Sequence, residues 1–208
     1  MPELKLVIFD CDGVMFDSKN ANKMYYNTIL TALGHPPMDD EELEYVHIHN
    51  VMDSVRHILR HYPDDIDKAE RYRADLDYQP FLQYMNMEPD LIEFLDYLTP
   101  AYEKAISTNR TTTMRSILDI FGLSSYFGMV VTAFDVKRPK PYPDALHAIL
   151  NHFSLAVDQA VYIGDSIIDR QHANSVGMKM IAFKNPALDA EYHVQSFMEI
   201  PGLPIFRG

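Results

Sequence analysis

Apolar residues are grouped along this chain in short runs whose length and composition predict buried strands. The runs are LKLVIF at 4–9, EKAIS at 103–107, GMVVTAF at 128–134, AVYI at 160–163 and KMIAFK at 179–184. Short runs with few polar interruptions are typical of strands that are covered on both faces of a parallel sheet.

Helical patterns lie between the later runs. Over 110–121, apolar residues recur at three- and four-residue spacing, and Gly122 then supplies a C-terminal stop. Residues 143–153 open with a proline in the first turn and have one apolar side, and 169–176 form a short helical pattern that ends at Gly177. Strands that alternate with helices predict an α/β fold with a doubly wound, parallel sheet.

Residues 18–85 break this alternation. A helical apolar stripe covers 24–33, further helical segments are expected near 40–47, 51–61 and 65–78, and no convincing strand interrupts them. We therefore predict two domains: an α/β core made of 1–17 and 86–208, and an inserted all-helical domain over 18–85.

Composition limits which partners and which cellular compartment we expect for this protein. The net charge of −12, from 30 acidic and 18 basic residues, argues against nucleic acid and anionic membranes as partners. The single cysteine, Cys11, excludes an internal disulfide and is expected to be a small buried residue. No apolar run is long enough to span a membrane and no signal-peptide pattern is present, so we expect a cytoplasmic protein, either monomer or dimer.

Polar residues follow four of the predicted strands at the point where each strand ends. These residues are Asp10 and Asp12 after the first run, Ser107-Thr108-Asn109-Arg110 after the second, Lys140 in DVKRPKPYPD after the third, and Asp165 and Asp169 after the fourth. In an open α/β sheet the carboxyl ends of parallel strands form the ligand-binding edge, so we expect these side chains to converge.

The chemistry of this set favours a divalent cation next to a phosphate. If the strand stays extended, Asp10 and Asp12 point the same way, because side chains alternate along a strand. Carboxylate oxygens suit Mg²⁺, and Gly13 permits a sharp turn after them. The segment after Thr108 is expected to open a helix whose free amides hold an anion.

The four motifs, in this order, resemble those of the haloacid dehalogenase-like superfamily. FDCDGVMFDS at 9–18 resembles its first motif, Thr108 its second, Lys140 its third and GDSIID at 164–169 its fourth. The chain is most similar to the phosphatase branch with a helical cap after the first motif, which includes phosphoglycolate phosphatase and β-phosphoglucomutase-like members. The resemblance covers nearly the whole chain and implies a Rossmann-like core.

The resemblance implies Mg²⁺-dependent hydrolysis of a small phosphorylated metabolite through an aspartyl-phosphate. It implies that Asp10 is the nucleophile and that Asp12 is the general acid and base. It also implies that Thr108 and Lys140 hold the phosphoryl oxygens, with Asn109 beside them. The metal would be held by Asp10, the backbone carbonyl of Asp12, and Asp165, while Asp169 is either a further ligand or a group that orients Lys140.

Simpler interpretations remain open for several of these residues. Asp165 and Thr108 are both favourable helix N-cap residues, and Lys140 in a proline-rich turn is compatible with a solvated side chain. Asp17 and Ser18 are expected to cap the first inserted helix rather than to contact substrate.

Two alternative functions also remain. One is a sugar phosphomutase of the same superfamily, which tends to carry a histidine where this chain has Asn22. The other is a non-catalytic relative that binds a phosphorylated metabolite; the complete motif set argues against it.

Substrate selection is expected to come from the inserted domain, because the core contacts only the phosphoryl group that all substrates share. The turn there reads His47-Ile48-His49-Asn50 and has no glycine, unlike the glycine-rich turn usual in phosphoglycolate phosphatases. We hypothesise that His47 or His49, with Arg56, contacts a polar or anionic leaving group, although ordinary packing or surface roles at a helix junction are the simpler interpretation of the pattern. Phosphoglycolate is accordingly predicted not to be the preferred substrate.

Overall fold

The computed structural model describes residues 3–48 and 51–207. By contacts, the chain divides into two compact units, one made of Met1–Phe16 and Met87–Gly208 and the other of Asp17–Asn86. We call the first the α/β unit and the second the helical unit.

The α/β unit contains a six-stranded sheet in which every pair of neighbouring strands is parallel. Its strands are β1 (Leu6–Phe9), β4 (Glu103–Ser107), β5 (Met129–Val131), β6 (Ala160–Gly164), β7 (Lys179–Phe183) and β8 (Tyr192–Val194). Their order is β5-β4-β1-β6-β7-β8. The register places Phe9 beside Ile106 on one side and Ile163 on the other, so three strands end at the same level.

Four helices belong to the same unit: α5 (Leu91–Leu98), α6 (Met114–Ile120), α7 (Asp144–Phe153) and α8 (Ile167–Asn174). Short 3-10 helices lie at Val157–Gln159, Phe197–Gly202 and Pro204–Phe206. All four residues of β1 are buried, as an internal strand covered on both faces requires. The polar residues that follow the central strands are thereby fixed to a rigid core.

The predicted α/β class with a parallel sheet is confirmed, including all five predicted strands. The sixth strand, β8, was not predicted because only Val194 of its three residues is buried. The third predicted helix lies two residues earlier than expected, because Ser166 rather than a later residue caps it.

The helical unit contains α1 (Lys19–Ala32), α2 (Asp40–Ile48), α3 (Val51–Ile58) and α4 (Ile66–Asp75), with 3-10 helices at Pro63–Asp65 and Gln79–Tyr84. Four aromatic rings, those of Tyr25, Tyr26, Tyr78 and Phe81, pack together within it. The chain enters this unit through β2 (Phe16–Asp17) and leaves it through β3 (Asn86–Met87), and these two short strands pair with each other. This two-stranded sheet was not predicted, since each strand has only two residues.

Among the described residues, no helix combines the length and the apolar character needed to cross a bilayer.

Candidate active site

The end of β1 places Asp10 at the centre of the sheet edge. The backbone amide of Asp10 donates to the Ile163 carbonyl at 2.9 Å, which extends the pairing with β6 by one residue. Asp10 is only 7% exposed. Its carboxylate is therefore held in a fixed, largely dry position.

The chain turns immediately after Asp10. Gly13 has a φ of +75°, a conformation that favours glycine, and a Cβ there would collide with the Asp165 carboxylate. The extended conformation of β1 ends at Phe9, so the condition under which Asp10 and Asp12 were expected to point the same way is not met. The Asp10 carboxylate binds Lys140, whereas both oxygens of Asp12 bind Arg110.

Thr108 follows β4 and is buried beside the next strand. Its backbone amide donates to the Val131 carbonyl at 3.0 Å, and its hydroxyl accepts from the Arg110 amide at 3.1 Å. Helix α6 begins only at Met114, so the prediction that a helix opens directly after Thr108 is wrong. A loop forms there instead, because the Arg110 carbonyl accepts a hydrogen bond from the Ala133 amide, after β5, at 2.9 Å.

Lys140 lies at the centre of a buried network. Its ammonium is 2.7 Å from one oxygen of Asp10 and 2.7 Å from one oxygen of Asp169. It also donates to the Tyr162 hydroxyl at 3.1 Å. Because Lys140 is only 8% exposed, it is not a solvated lysine. The Asn109 side-chain amide donates to the Lys140 carbonyl at 3.2 Å, so in this structure Asn109 positions the Lys140 backbone.

The loop after β6 holds Asp165 and Asp169 differently. Ser166, not Asp165, is the N-cap of α8, and Asp169 completes a reciprocal capping box with it. One oxygen of Asp169 accepts from the Ser166 hydroxyl at 2.6 Å, and the other accepts from Lys140 and Tyr162. Asp169 thus orients Lys140. Gly164 permits this approach, since a Cβ there would collide with the Asp169 side chain.

The electrostatics of the cluster indicate an excess of negative charge. Burial and the Asp169 carboxylate raise the pKa of Asp10 well above its usual range, against the opposing effect of Lys140. Burial and Asp169 likewise raise the pKa of Asp165 to about 7. Although burial alone would lower it, the pKa of Lys140 is raised by Asp10 and Asp169. One ammonium therefore does not compensate all three carboxylates.

The same carboxylates fit a divalent cation. Asp10, Asp165 and Asp169 each offer an oxygen, and these oxygens lie within 4.8 Å of one another. An all-oxygen donor set suits a hard cation such as Mg²⁺. Since both Asp169 oxygens already accept hydrogen bonds within the protein, Asp10 and Asp165 are the better candidates for direct ligands. The Asp12 carboxylate forms an ion pair with Arg110. That the backbone carbonyl of Asp12 binds the metal stays a prediction.

Two residues near the site, Tyr162 and His172, were not predicted. Tyr162 is fully buried, and its hydroxyl contacts Lys140, Asp169 and the Ser107 carbonyl. His172 places Nε2 3.0 Å from the Ser107 hydroxyl, and burial followed by the Lys140 charge lowers the pKa of His172 to about 4. The one available signal was the phenolic oxygen of Tyr162, a polar group inside an apolar run.

A third unpredicted residue, Asn185, follows β7. Its side-chain amide donates to the Asp165 carbonyl at 2.7 Å. Cys11 is buried, as expected of a small residue between two aspartates. Its burial, followed by the Asp12 charge, raises the pKa of its thiol.

Candidate substrate residues in the helical unit remain predictions. His47 lies in α2 but its side chain is outside the described part of the structure, and His49 lies outside the described residues altogether. Arg56 lies on α3, is exposed, and forms a 3.6 Å ion pair with Asp53. At the start of the unit, the Asp17 carboxylate accepts from the Lys19 amide at 2.8 Å, while Ser18 makes no capping hydrogen bond through its side chain.

Comparison with known proteins agrees with this geometry. The family model described as haloacid dehalogenase-like hydrolase matches residues 7–183. A phosphoglycolate phosphatase from Rhodobacter capsulatus is 26% identical over 95% of this chain and 94% of its own length. A second, from Aliivibrio fischeri, is 28% identical over 86% of this chain and 84% of its own length.

A solved structure is also similar. The crystal structure of a haloacid dehalogenase-superfamily hydrolase of subfamily IA, variant 1, from Geobacter sulfurreducens has a TM-score of 0.89 and 36% identity. The alignment covers 96% of this chain and 95% of that one. The matched region contains all four strand ends that converge in the site, and the chain belongs to the haloacid dehalogenase-like hydrolase family.

Proposed function

We propose that this protein is a Mg²⁺-dependent phosphomonoesterase that acts on a small phosphorylated metabolite through an aspartyl-phosphate on Asp10. The observation that carries the proposal is the convergence of the Asp10, Asp165 and Asp169 carboxylates around one buried lysine, Lys140. Such a set can hold a cation and a phosphoryl group side by side.

In the first step, an oxygen of Asp10 attacks phosphorus and the bond from phosphorus to the ester oxygen breaks. Asp12 gives a proton to the departing oxygen, so that a neutral alcohol leaves. Lys140 would offset the charge of the phosphoryl oxygens, and the Thr108 hydroxyl would donate to one of them. Bound Mg²⁺ would neutralise charge shared by Asp10 and the phosphoryl group.

In the second step, Asp12 removes a proton from water, and the water oxygen attacks phosphorus. The bond between phosphorus and Asp10 breaks, which restores the carboxylate and releases inorganic phosphate. Asp169 keeps Lys140 in place throughout, because its hydrogen bonds from Lys140 and Ser166 do not involve the substrate.

For the substrate, the relatives named phosphoglycolate phosphatase make phosphoglycolate a necessary member of any panel. We nevertheless propose that a different small phosphomonoester is preferred, since residues 47–50 contain no glycine. The His47 and His49 variants to alanine test whether this segment selects the leaving group.

No observation favours the mutase alternative. The Asn22 side chain accepts a hydrogen bond from the Tyr78 hydroxyl at 2.8 Å within the helical unit. An amide in that position does not exchange protons as the histidine of a mutase does.

The test is phosphate release from a panel of phosphorylated sugars, acids, nucleotides and 4-nitrophenyl phosphate, with Mg²⁺ and with a chelator. We expect turnover of at least one ester with Mg²⁺, loss of turnover with the chelator, and a loss of several orders of magnitude in Asp10→Asn. The control is Asp144→Asn, which alters an exposed ion pair with Arg138 and is expected to keep turnover. Near-normal turnover in Asp10→Asn would contradict the mechanism.

A further inference from the structure

Arg110 holds the Asp12 carboxylate in a two-point ion pair. Its Nε donates to Oδ2 of Asp12 at 2.7 Å, and a terminal nitrogen donates to Oδ1 at 2.6 Å. The two side chains come from strand ends that are 98 residues apart in sequence. This fork geometry fixes both the position and the plane of a carboxylate.

Arg110 is itself held firmly. Its other terminal nitrogen donates to the Thr113 hydroxyl at 3.1 Å, and its backbone amide donates to the Thr108 hydroxyl at 3.1 Å. The Arg110 side chain is 11% exposed, whereas that of Asp12 is 39% exposed. The arginine is therefore the more buried and more firmly held partner of the pair.

A backbone conformation leaves a side chain several staggered rotamers, and contacts select among them. Asp12 lies outside the six-stranded sheet, directly before the positive-φ residue Gly13, and its backbone forms an isolated bridge with Phe16. The two-point contact with Arg110 favours the rotamer of Asp12 that presents both carboxylate oxygens to the guanidinium.

We propose that Arg110 is the positioning residue of Asp12: it holds the carboxylate in the orientation from which Asp12 serves the leaving oxygen and the water. This inference rests on the proposed function, because it assigns a role through Asp12. Each carboxylate oxygen has two lone pairs, so an Asp12 oxygen bound to Arg110 retains one for a second partner. Misplacement of a reacting group by about 1 Å costs about 100-fold in rate.

The same loop connects this contact to the phosphoryl site. The Thr108 hydroxyl accepts from the Arg110 amide, so its own proton is directed elsewhere and is available to a phosphoryl oxygen. Arg110 thus orders two proposed functional groups, one through its backbone and one through its side chain. A substitution of Arg110 removes its side-chain contact with Asp12 and keeps its backbone contact with Thr108, so the two roles can be measured separately.

The test is a double-mutant cycle with Arg110→Met, Asp12→Asn and the double variant. Rates are measured on 4-nitrophenyl phosphate, which has a good leaving group, and on the fastest alkyl phosphate of the panel. In Arg110→Met we expect kcat for the alkyl ester to fall about 10- to 100-fold with KM changed less than about threefold. The loss on the nitrophenyl ester should be several-fold smaller, because its leaving oxygen needs less help from an acid.

The double-mutant cycle tests directly whether Arg110 acts through Asp12. Since Arg110 acts through Asp12, Arg110→Met should cause no further loss in the Asp12→Asn background. Arg110→Lys, which keeps the charge but presents a single point of contact, should recover part of the alkyl-ester rate. Arg115→Met, on an exposed arginine of α6, is the matched control and should leave both rates unchanged. Circular dichroism and thermal melting establish that each variant is folded.

Three outcomes would overturn the inference. They are equal losses on both esters, a loss in the double variant equal to the product of the single losses, and a selective rise in KM for anionic substrates. The last result would make Arg110 a substrate-binding group instead. If the wild-type protein released phosphate from no ester, the proposed function itself would fail. If the wild type were active and Arg110→Met kept the wild-type rates on both esters, only this inference would fail.

Discussion

The Tyr162 hydroxyl lies 3.1 Å from the ammonium of Lys140, inside the sheet and out of contact with solvent. The same oxygen lies 3.0 Å from Asp169 and 3.1 Å from the Ser107 carbonyl. One phenol thereby connects three strand ends behind the proposed phosphoryl site. A buried hydroxyl with several partners is costly to remove, because each partner is then left without its hydrogen bond.

Replacing Tyr162 with phenylalanine should therefore lower the free energy of unfolding by about 1–3 kcal/mol. It should also reduce kcat, since Lys140 loses one of the contacts that fix its position. Urea denaturation and steady-state kinetics measure the two effects. Tyr97→Phe, at a tyrosine that is 42% exposed, is the matched control and should change stability by less than about 0.5 kcal/mol. Equal effects of the two variants would contradict the role assigned to Tyr162.

Buried His172 should make stability depend on pH in a defined direction. Its pKa is lowered from 6.5 to about 4 in the folded protein, so between these values the unfolded chain binds more protons. The stabilisation is fully present above pH 6.5 and is lost as pH falls toward 4, with a limit of about 3 kcal/mol.

The measurement is the free energy of unfolding against pH, in the wild type and in His172→Gln. Asp165 acts in the opposite direction over part of this range, because its folded pKa is raised to about 7. The informative quantity is therefore the difference in slope between the two proteins. The wild-type curve should fall more steeply with acid than that of His172→Gln. Parallel curves for wild type and His172→Gln would refute the prediction.

Asp165→Asn should separate metal binding from stability. In metal-free protein above pH 7, ionised Asp165 is disfavoured by burial and by Asp169. Removing its charge should raise the free energy of unfolding by about 1–2 kcal/mol, an advantage that shrinks as pH falls. Adding Mg²⁺ should raise the melting temperature of the wild type but not that of the variant. Differential scanning fluorimetry measures the stability of the metal-free protein and its response to Mg²⁺, with a variant at an exposed position, Asp67→Asn, as the control. A similar Mg²⁺ response in the wild type and in Asp165→Asn would exclude Asp165 as a ligand.

Gly164 should not tolerate a side chain. A Cβ at this position meets the Asp169 side chain and lies 2.9 Å from the Met180 methyl group. Gly164→Ala is expected to destabilise the protein by about 1–3 kcal/mol and to displace Asp169 from Lys140, with loss of turnover. At Gly177 a Cβ meets nothing within 4 Å and only the φ of +72° is unfavourable, so Gly177→Ala should cost about 1 kcal/mol and preserve turnover.

The sequence determined which residues end the central strands. Apolar runs long enough to cross a sheet, each followed by acidic, hydroxyl or basic side chains, placed Asp10, Thr108, Lys140 and Asp165 at one edge. Parallel strands bring their carboxyl ends together whatever the details of the loops, which is why this convergence is predictable from pattern alone. The helical segments of the insertion were predictable for a similar reason, since their apolar stripes have the helical period.

Tertiary structure decided which of these side chains contact one another. The direction of Asp12 depends on a turn at Gly13 and on Arg110, which arrives from a different strand. The late start of α6 depends on hydrogen bonds between Arg110 and its neighbours in space. The contacts of Tyr162 and His172 require the packed core, because a single polar atom in an apolar run does not reveal its partners. Local periodicity is a property of the chain, whereas these contacts join residues far apart in sequence and exist only once the sheet has formed.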